Sequence, residues 1–302
     1  MEHHDEGQPD EYEAAEEEAL YLNRRHPLVA NGLRLLEHAA SALADEEPDR
    51  YEALYPVLHL HTAAEALLRG RLAMHWSGDI WPAHNGDQDS NRRTRGEYQG
   101  LGLHQAAGIA AGWCETDIEA ARTDLMAWEY VRNRVLLSSD RDCDSLVAIR
   151  CRALPVLELM LAVVETDVLG ELREDLTAQY ARAVRRSLRR ARAATARVRE
   201  AVEESRRAIA PELAHWEVVV PCPYCGQFAV PAGRDMTECL LCGRDFGLCA
   251  YHAAGDLAPL APAYEPEQCP DCGHHSILYT PTAARPDVEA AVCMVDGQVM
   301  WG

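Results

Sequence analysis

The feature that most constrains this chain is a short word repeated near its C-terminal end: two cysteines two residues apart, followed by glycine. It reads Cys222-Pro-Tyr-Cys225-Gly226, Cys239-Leu-Leu-Cys242-Gly243 and Cys269-Pro-Asp-Cys272-Gly273. Two intervening residues let both thiolates reach one ion from a tight turn, and the glycine permits the backbone conformation that closes the turn. A redox dithiol needs one such pair; matched pairs instead make a tetrahedron of four thiolates. Cys222, Cys225, Cys239 and Cys242 are therefore expected to form one structural zinc site. The third knuckle needs a partner. Cys293-Met-Val-Asp296-Gly297 has the same period and the same trailing glycine, with aspartate in the last ligand place. Cys269, Cys272, Cys293 and Asp296 are the expected second site, with Cys249 and His252 of Cys249-Ala-Tyr-His252 as alternative partners. The expectation is thus two zinc ions per chain, both in closed sites that hold structure and leave no position open for catalysis.

The setting agrees with metal ligation. There are 11 Cys in 302 residues. The first residues are acidic, with no apolar run of a secretory signal, and no stretch is apolar enough to span a membrane. A cytoplasmic protein with reduced thiols follows, in which paired cysteines read as ligands rather than disulfides. The net charge of −20 excludes a general nucleic-acid coat, because phosphate contacts need concentrated positive charge. Aromatic residues are scarce at 6%, so Ala, Leu and Val must fill the cores, which favours packed helices.

Residues 1–19 are mostly Glu, Asp and Ala and are expected to be flexible. A helical period then runs from Pro27 to Leu43, a second from about Tyr51 to Trp76 and a third from Leu103 to Trp113. Thr116-Asp117-Ile118-Glu119 reads as a capping box opening a helix to Leu137. Another helix covers Ser145 to Glu165, with a kink expected at Pro155. From Asp167 to Ile209 the helical period continues almost without breakers, as a long arm ended by Pro211. Residues 77–97, rich in Gly, Pro, Asn and Asp, read as a loop. The expected organisation is a flexible N-terminus (1–19), a helical bundle (20–165), an Arg-rich arm (166–211) and a small β-rich zinc module (212–302).

Two stretches of the bundle carry a family resemblance. One runs from His61 to Trp76 and contains Glu65, Arg69 and His75; the other is Tyr130-Val131-Arg132-Asn133-Arg134-Val135-Leu136-Leu137. Residues 50–165 resemble the HEPN superfamily of helical domains found in prokaryotic toxins, defence proteins and RNA-processing factors. The order of parts, such a domain followed by paired zinc ribbons, is similar to a bacterial subgroup of that family. The resemblance implies a HEPN-like helical bundle, a homodimer whose paired motifs face one cleft, and metal-free cleavage of RNA by an Arg and a following His. Here Arg132 and Asn133 are present, but Leu137 stands where the resemblance would place the histidine, and Leu cannot shuttle a proton. The implied ribonuclease activity is therefore expected to be lost, and Arg132 to serve as a polar clamp against Glu65. Arg69 and His75 also match the spacing, but six positions are a poor helical repeat.

Arg182, Arg185, Arg186, Arg189 and Arg190 crowd the arm at helical spacing. They can grip a nucleic-acid backbone, or form a solvated face that pairs with acidic residues. The reading that follows is a mainly α protein that binds RNA or DNA without cleaving it, possible partners otherwise being a second copy or another protein. The alternatives are a ribonuclease with a non-standard active site and a structural interaction subunit.

Overall fold

The structure, a computed structural model, describes residues 26–45, 54–75, 102–137, 145–171, 178–233, 238–244 and 267–300. The expectations for residues 1–19 and 77–97, and for Cys249 and His252, lie outside the described residues. The protein is mainly helical, with small antiparallel sheets at its C-terminal end. Helices α1 (Pro27–Ala44), α2 (Leu54–His75), α3 (Leu103–Ala110), α4 (Arg122–Leu137), α5 (Leu146–Ala162) and α6 (Ala178–Leu213) precede every described strand. Strands β1 (Val219–Pro221) and β2 (Phe228–Pro231) pair as one sheet. Strands β3 (Glu267–Gln268), β4 (His275–Thr282), β5 (Arg285–Cys293) and β6 (Val299–Met300) form a second sheet in that order. No helix is long and apolar enough to cross a membrane, among the described residues.

The chain divides into two compact units, each drawn from separated stretches. One comprises Met1–Ala42, Leu58–Leu125 and Val156–Thr195; the other comprises Leu43–Val57, Met126–Pro155 and Ala196–Gly302. In the first unit α1 and α2 approach closely because each places a glycine against the other. A Cβ on Gly32 would stand 2.7 Å from Leu67 Cγ, and one on Gly70 would stand 2.7 Å from Val29 Cγ2. Val29, Leu33, Leu36, Leu60 and Leu67 are all buried beside these contacts.

The capping box does not form. Thr116 Oγ1 donates instead to Asp167 Oδ2 at 2.6 Å, and the Glu115 amide donates to Asp167 Oδ1 at 2.7 Å. Helix α4 starts later, at Arg122, after a turn in which the Ala120 amide donates to Asp117 Oδ1. Asp167, buried at 4% exposure, sits in a π-helical turn (Val163–Val168) that continues α5. A buried carboxylate needs donors, and here it takes the threonine that local sequence would assign to a helix cap. Cys114 lies beside this group, and burial, reinforced by Asp167, pushes its thiol up to about 12.

Helix α5 runs through Pro155. Helix α6 does not stop at Pro211, which lies inside its last turn. Proline removes one backbone hydrogen bond, but its fixed φ is helical, and the Ala214 amide still reaches the Ala210 carbonyl at 3.1 Å. The apolar stripe of α6 is buried: Val184, Leu188 and Ala191 in the first unit, Val198 and Val202 in the second.

The second unit is built around the cysteine knuckles. Ala148 and Cys151 of α5 and Val202 of α6 share one core cluster with Val220, Cys222, Cys225, Val230 and Cys239. The two sheets are tied by backbone bonds, Ala283 N to Val219 O at 2.8 Å and Gly233 N to Met294 O at 3.0 Å. Arg150 of α5 closes the end of α1, its Nε donating to the Leu43 carbonyl at 2.7 Å and its Nη2 to that of Asp45 at 2.5 Å.

Candidate metal centres

The four knuckles are copies of one backbone design. In each, the amide of the first ligand takes the carbonyl five residues on, and the amide of the trailing glycine takes the carbonyl of the first ligand. The pairs are Cys222–Gln227 and Gly226–Cys222, Cys239–Arg244 and Gly243–Cys239, Cys269–His274 and Gly273–Cys269, Cys293–Gln298 and Gly297–Cys293. All eight bonds fall between 2.7 and 2.9 Å. The four glycines have φ of 74°, 68°, 74° and 76°, a left-handed conformation that only glycine adopts cheaply. The fourth knuckle, with Asp296 in place of a second cysteine, keeps the design intact.

Two ligand sets result. Cys222, Cys225, Cys239 and Cys242 bring their sulfurs together, as do Cys269, Cys272 and Cys293 with an Asp296 oxygen, each set lying within 4.8 Å. In the first set Cys222 Sγ is 3.8 Å from Cys242 Sγ, and Cys225 Sγ is 3.7 Å from Cys239 Sγ. Zinc–sulfur bonds of 2.3 Å put tetrahedral sulfurs about 3.8 Å apart, whereas a disulfide would bring them to about 2.05 Å. In the second set Cys272 and Cys293 sulfurs are 3.7 Å apart and Cys269 Sγ is 3.4 Å from Asp296 Oδ2. A mixed sulfur–oxygen edge of such a tetrahedron is about 3.5 Å. The donor chemistry and the spacing therefore both fit a metal ion in each centre.

Burial and mutual hydrogen bonding set the thiols. In the first centre desolvation pushes Cys222 up and hydrogen bonding to the other sulfurs pushes Cys225 up, while the same hydrogen bonds lower Cys239 and Cys242. In the second, burial followed by the Asp296 carboxylate pushes Cys293 up to about 12, and a hydrogen bond from the His274 backbone lowers Cys272. Burial works against the Asp296 carboxylate, but hydrogen bonds from Cys293 and the Gln298 amide outweigh it and its pKa is lowered.

The surroundings of the centres differ. At the first, Arg152 of α5 donates from Nε to the Tyr224 carbonyl at 2.9 Å and from Nη2 to the Pro223 carbonyl at 2.6 Å. The guanidinium lies so close that a Cβ on Gly226 would meet it at 2.7 Å. Arg134 and Arg244 lie over the Tyr224 ring at 4.4 and 4.6 Å, and Arg206 Nε reaches Gln227 Oε1 at 3.0 Å. These cations stand around a group that carries two net negative charges when four thiolates hold a divalent ion. At the second centre the cluster is small: Cys269, Ile277 and Cys293, flanked by Cys272, Ala291, Val295 and Met300. Ser276 Oγ sits 3.1 Å from Cys293 Sγ, and the Gln298 amide holds Asp296 Oδ1 at 2.9 Å. Arg152, Ser276 and Gln298 were invisible as supporting groups in the sequence, although Gln298 directly follows the fourth knuckle.

The other candidate residues are placed less tightly. Glu65 finds His61 at 3.6 Å and Arg69 at 3.7 Å, both on α2. Burial opposes ionisation there, but those neighbours win and lower its pKa. Arg132 Nη1 donates to Asn133 Oδ1 at 2.7 Å. Glu65 thus has partners along α2, four residues away on either side, and Arg132 has one along α4, its immediate neighbour. His75 is the last residue of α2 and Leu137 the last of α4. On α6, Arg182, Arg185 and Arg189 are exposed, opposite the buried stripe, and Arg186 is half-buried. Arg190 pairs with Glu37 at 3.4 Å, and Arg192 with Glu165. The chain matches no family model, no curated protein and no solved structure.

Proposed function

We propose that this is a zinc-stabilised protein that binds nucleic acid, RNA foremost, without cleaving it, and that its helical part is a HEPN-like domain joined to paired zinc ribbons. The observation that supports binding is the exposed row Arg182, Arg185 and Arg189, which faces away from the buried stripe of α6. A guanidinium meets phosphate with two parallel N–H donors, and all 29 basic residues of the chain are arginine. Both metal centres use four protein ligands, so neither offers an open position for a substrate. In this reading zinc holds the C-terminal end in shape and the arginine row supplies the contact. By the same reading the protein is a cytoplasmic homodimer in a defence or toxin–antitoxin setting.

The test is binding of mixed RNA followed by fluorescence anisotropy across a salt series. Affinity should fall steeply with salt, and Arg185→Glu with Arg189→Glu should lower it at least tenfold. Each phosphate contact removed should flatten the salt slope by about 0.7 for a single strand. Unchanged binding in the double variant rules out the arginine row as the contact. Metal-independent RNA cleavage that disappears in Arg132→Ala would establish the ribonuclease reading instead. The pairs Arg190–Glu37 and Arg192–Glu165 favour the interaction-subunit reading, in which arginines of α6 serve contacts within the protein; no salt-dependent RNA binding at all would select it.

A further inference from the structure

The second metal centre has one ligand unlike the rest. Cys269 and Cys293 are buried and Cys272 is half-buried, but Asp296 is exposed. Only its Oδ2 faces the sulfurs, while Oδ1 is held outward by the Gln298 amide at 2.9 Å. A cleft of about 410 Å³ opens on this side, lined by Asp296, Gly297, Gly233 and Trp216 together with Glu212 and Glu217. A monodentate carboxylate is a harder and weaker ligand for zinc than a thiolate. It is thus the one ligand with room beside it for a replacement.

We propose that Asp296 is a displaceable ligand, and that the second centre takes the thiolate of a small cationic thiol in its place. The proposal rests on the metal reading of the two centres. In the exchange the metal–Oδ2 bond breaks, a metal–sulfur bond forms, the thiol proton passes to solvent and no electron moves. The Gln298 amide remains to hold the freed carboxylate. The cleft sets the carboxylates of Glu212 and Glu217 against the single imidazole of His215, a balance that favours an ammonium on the incoming molecule. The first centre offers no such position, because all four of its ligands are thiolates.

The experiment uses the full chain loaded with cobalt(II), whose sulfur-to-metal absorption counts bound thiolates. Adding cysteamine should raise that band saturably, by about one-seventh, as seven bound thiolates become eight. Asp296→Ala should bind cysteamine at least tenfold more tightly, since the competing carboxylate is gone. Asp296→Cys should show the full band without added thiol and ignore cysteamine. An anionic thiol such as mercaptopropionate should bind at least tenfold more weakly than cysteamine; equal binding overturns the role given to the cleft. A wild-type band that ignores cysteamine, while Asp296→Ala responds, overturns displacement. A band that drops in Cys249→Ser before any thiol is added overturns the external donor, because the chain then supplies its own. Cobalt uptake well below two ions per chain points to failure of the metal reading, a result separate from all of these.

Discussion

The two metal centres share a backbone and differ in everything around it. Each is a pair of knuckles with the same backbone hydrogen bonds and the same left-handed glycines. The first is sewn into a core that includes residues of α5 and α6, and Arg152 grips the carbonyls of its leading knuckle. The second closes a small cluster of its own, with Met294 between its ligands reaching the larger core, and shows an exposed carboxylate to solvent. Ligand geometry alone therefore does not say what a metal ion does for a protein. An ion at the first would organise helices distant in sequence, while one at the second would organise a hairpin.

Removing one ligand from each centre should separate them most sharply. Zinc in small metal-folded modules contributes apparent binding energies of about 10–16 kcal/mol, comparable to the whole stability of a domain. Cys239→Ser should therefore unfold the second unit, helical segments included, which amide exchange at Ala148 and Val202 would report. Cys293→Ser should cost one metal ion by elemental analysis and leave those amides protected. Equal loss of protection in both variants would mean that the centres are one cooperative site. Arg152→Ala comes next. It removes two hydrogen bonds from a charged donor, each contributing about 1.5–3 kcal/mol, and should lower the melting temperature and speed chelator attack on the first centre only. A smaller effect is expected for Ser276→Ala, which deletes the hydroxyl beside Cys293. Loss of such a supporting group costs at least about tenfold in metal affinity, here confined to the second centre and read by competition with a chromogenic chelator. The least effect lies in pH. Protons compete with metal for thiolates, so both centres should bind more weakly as pH falls between about 8 and 6. Two thiols are pushed up at the first centre, Cys222 and Cys225, against one at the second, Cys293, while Asp296 has a lowered pKa and stays ionised. Chelator competition at several pH values should therefore show the steeper slope at the first centre.

The knuckles were legible because everything that makes them is local. Two cysteines, two spacers and a glycine define the turn, and Gly297 identified the fourth copy even where Asp296 replaced a thiol. Helix spans were legible for the same reason, since the recurrence of Leu33, Leu36 and Ala40 is a property of neighbours. What was hidden depends on partners far along the chain. Thr116 and Glu119 have the spacing of a cap, but Asp167, 51 residues from Thr116, claims the hydroxyl. Arg152 looks like any helical arginine until Tyr224, 72 residues on, presents its carbonyl. Pro211 misled in another way: a proline signals a helix end only when the lost hydrogen bond matters more than its helical φ.

The grip of Arg152 on the first knuckle also sets a timetable. The second unit is assembled from 43–57, 126–155 and 196 onward, so its earliest segments leave the ribosome long before the cysteines that complete their core. If the first centre holds a metal ion, Ala148, Cys151 and Leu154 lack lasting cover until Cys239 and Cys242 emerge and bind it. Contacts that span such separations form slowly and leave apolar surface exposed meanwhile. Scarcity of metal during synthesis would then be felt as aggregation of newly made chains, before any mature protein had lost an ion.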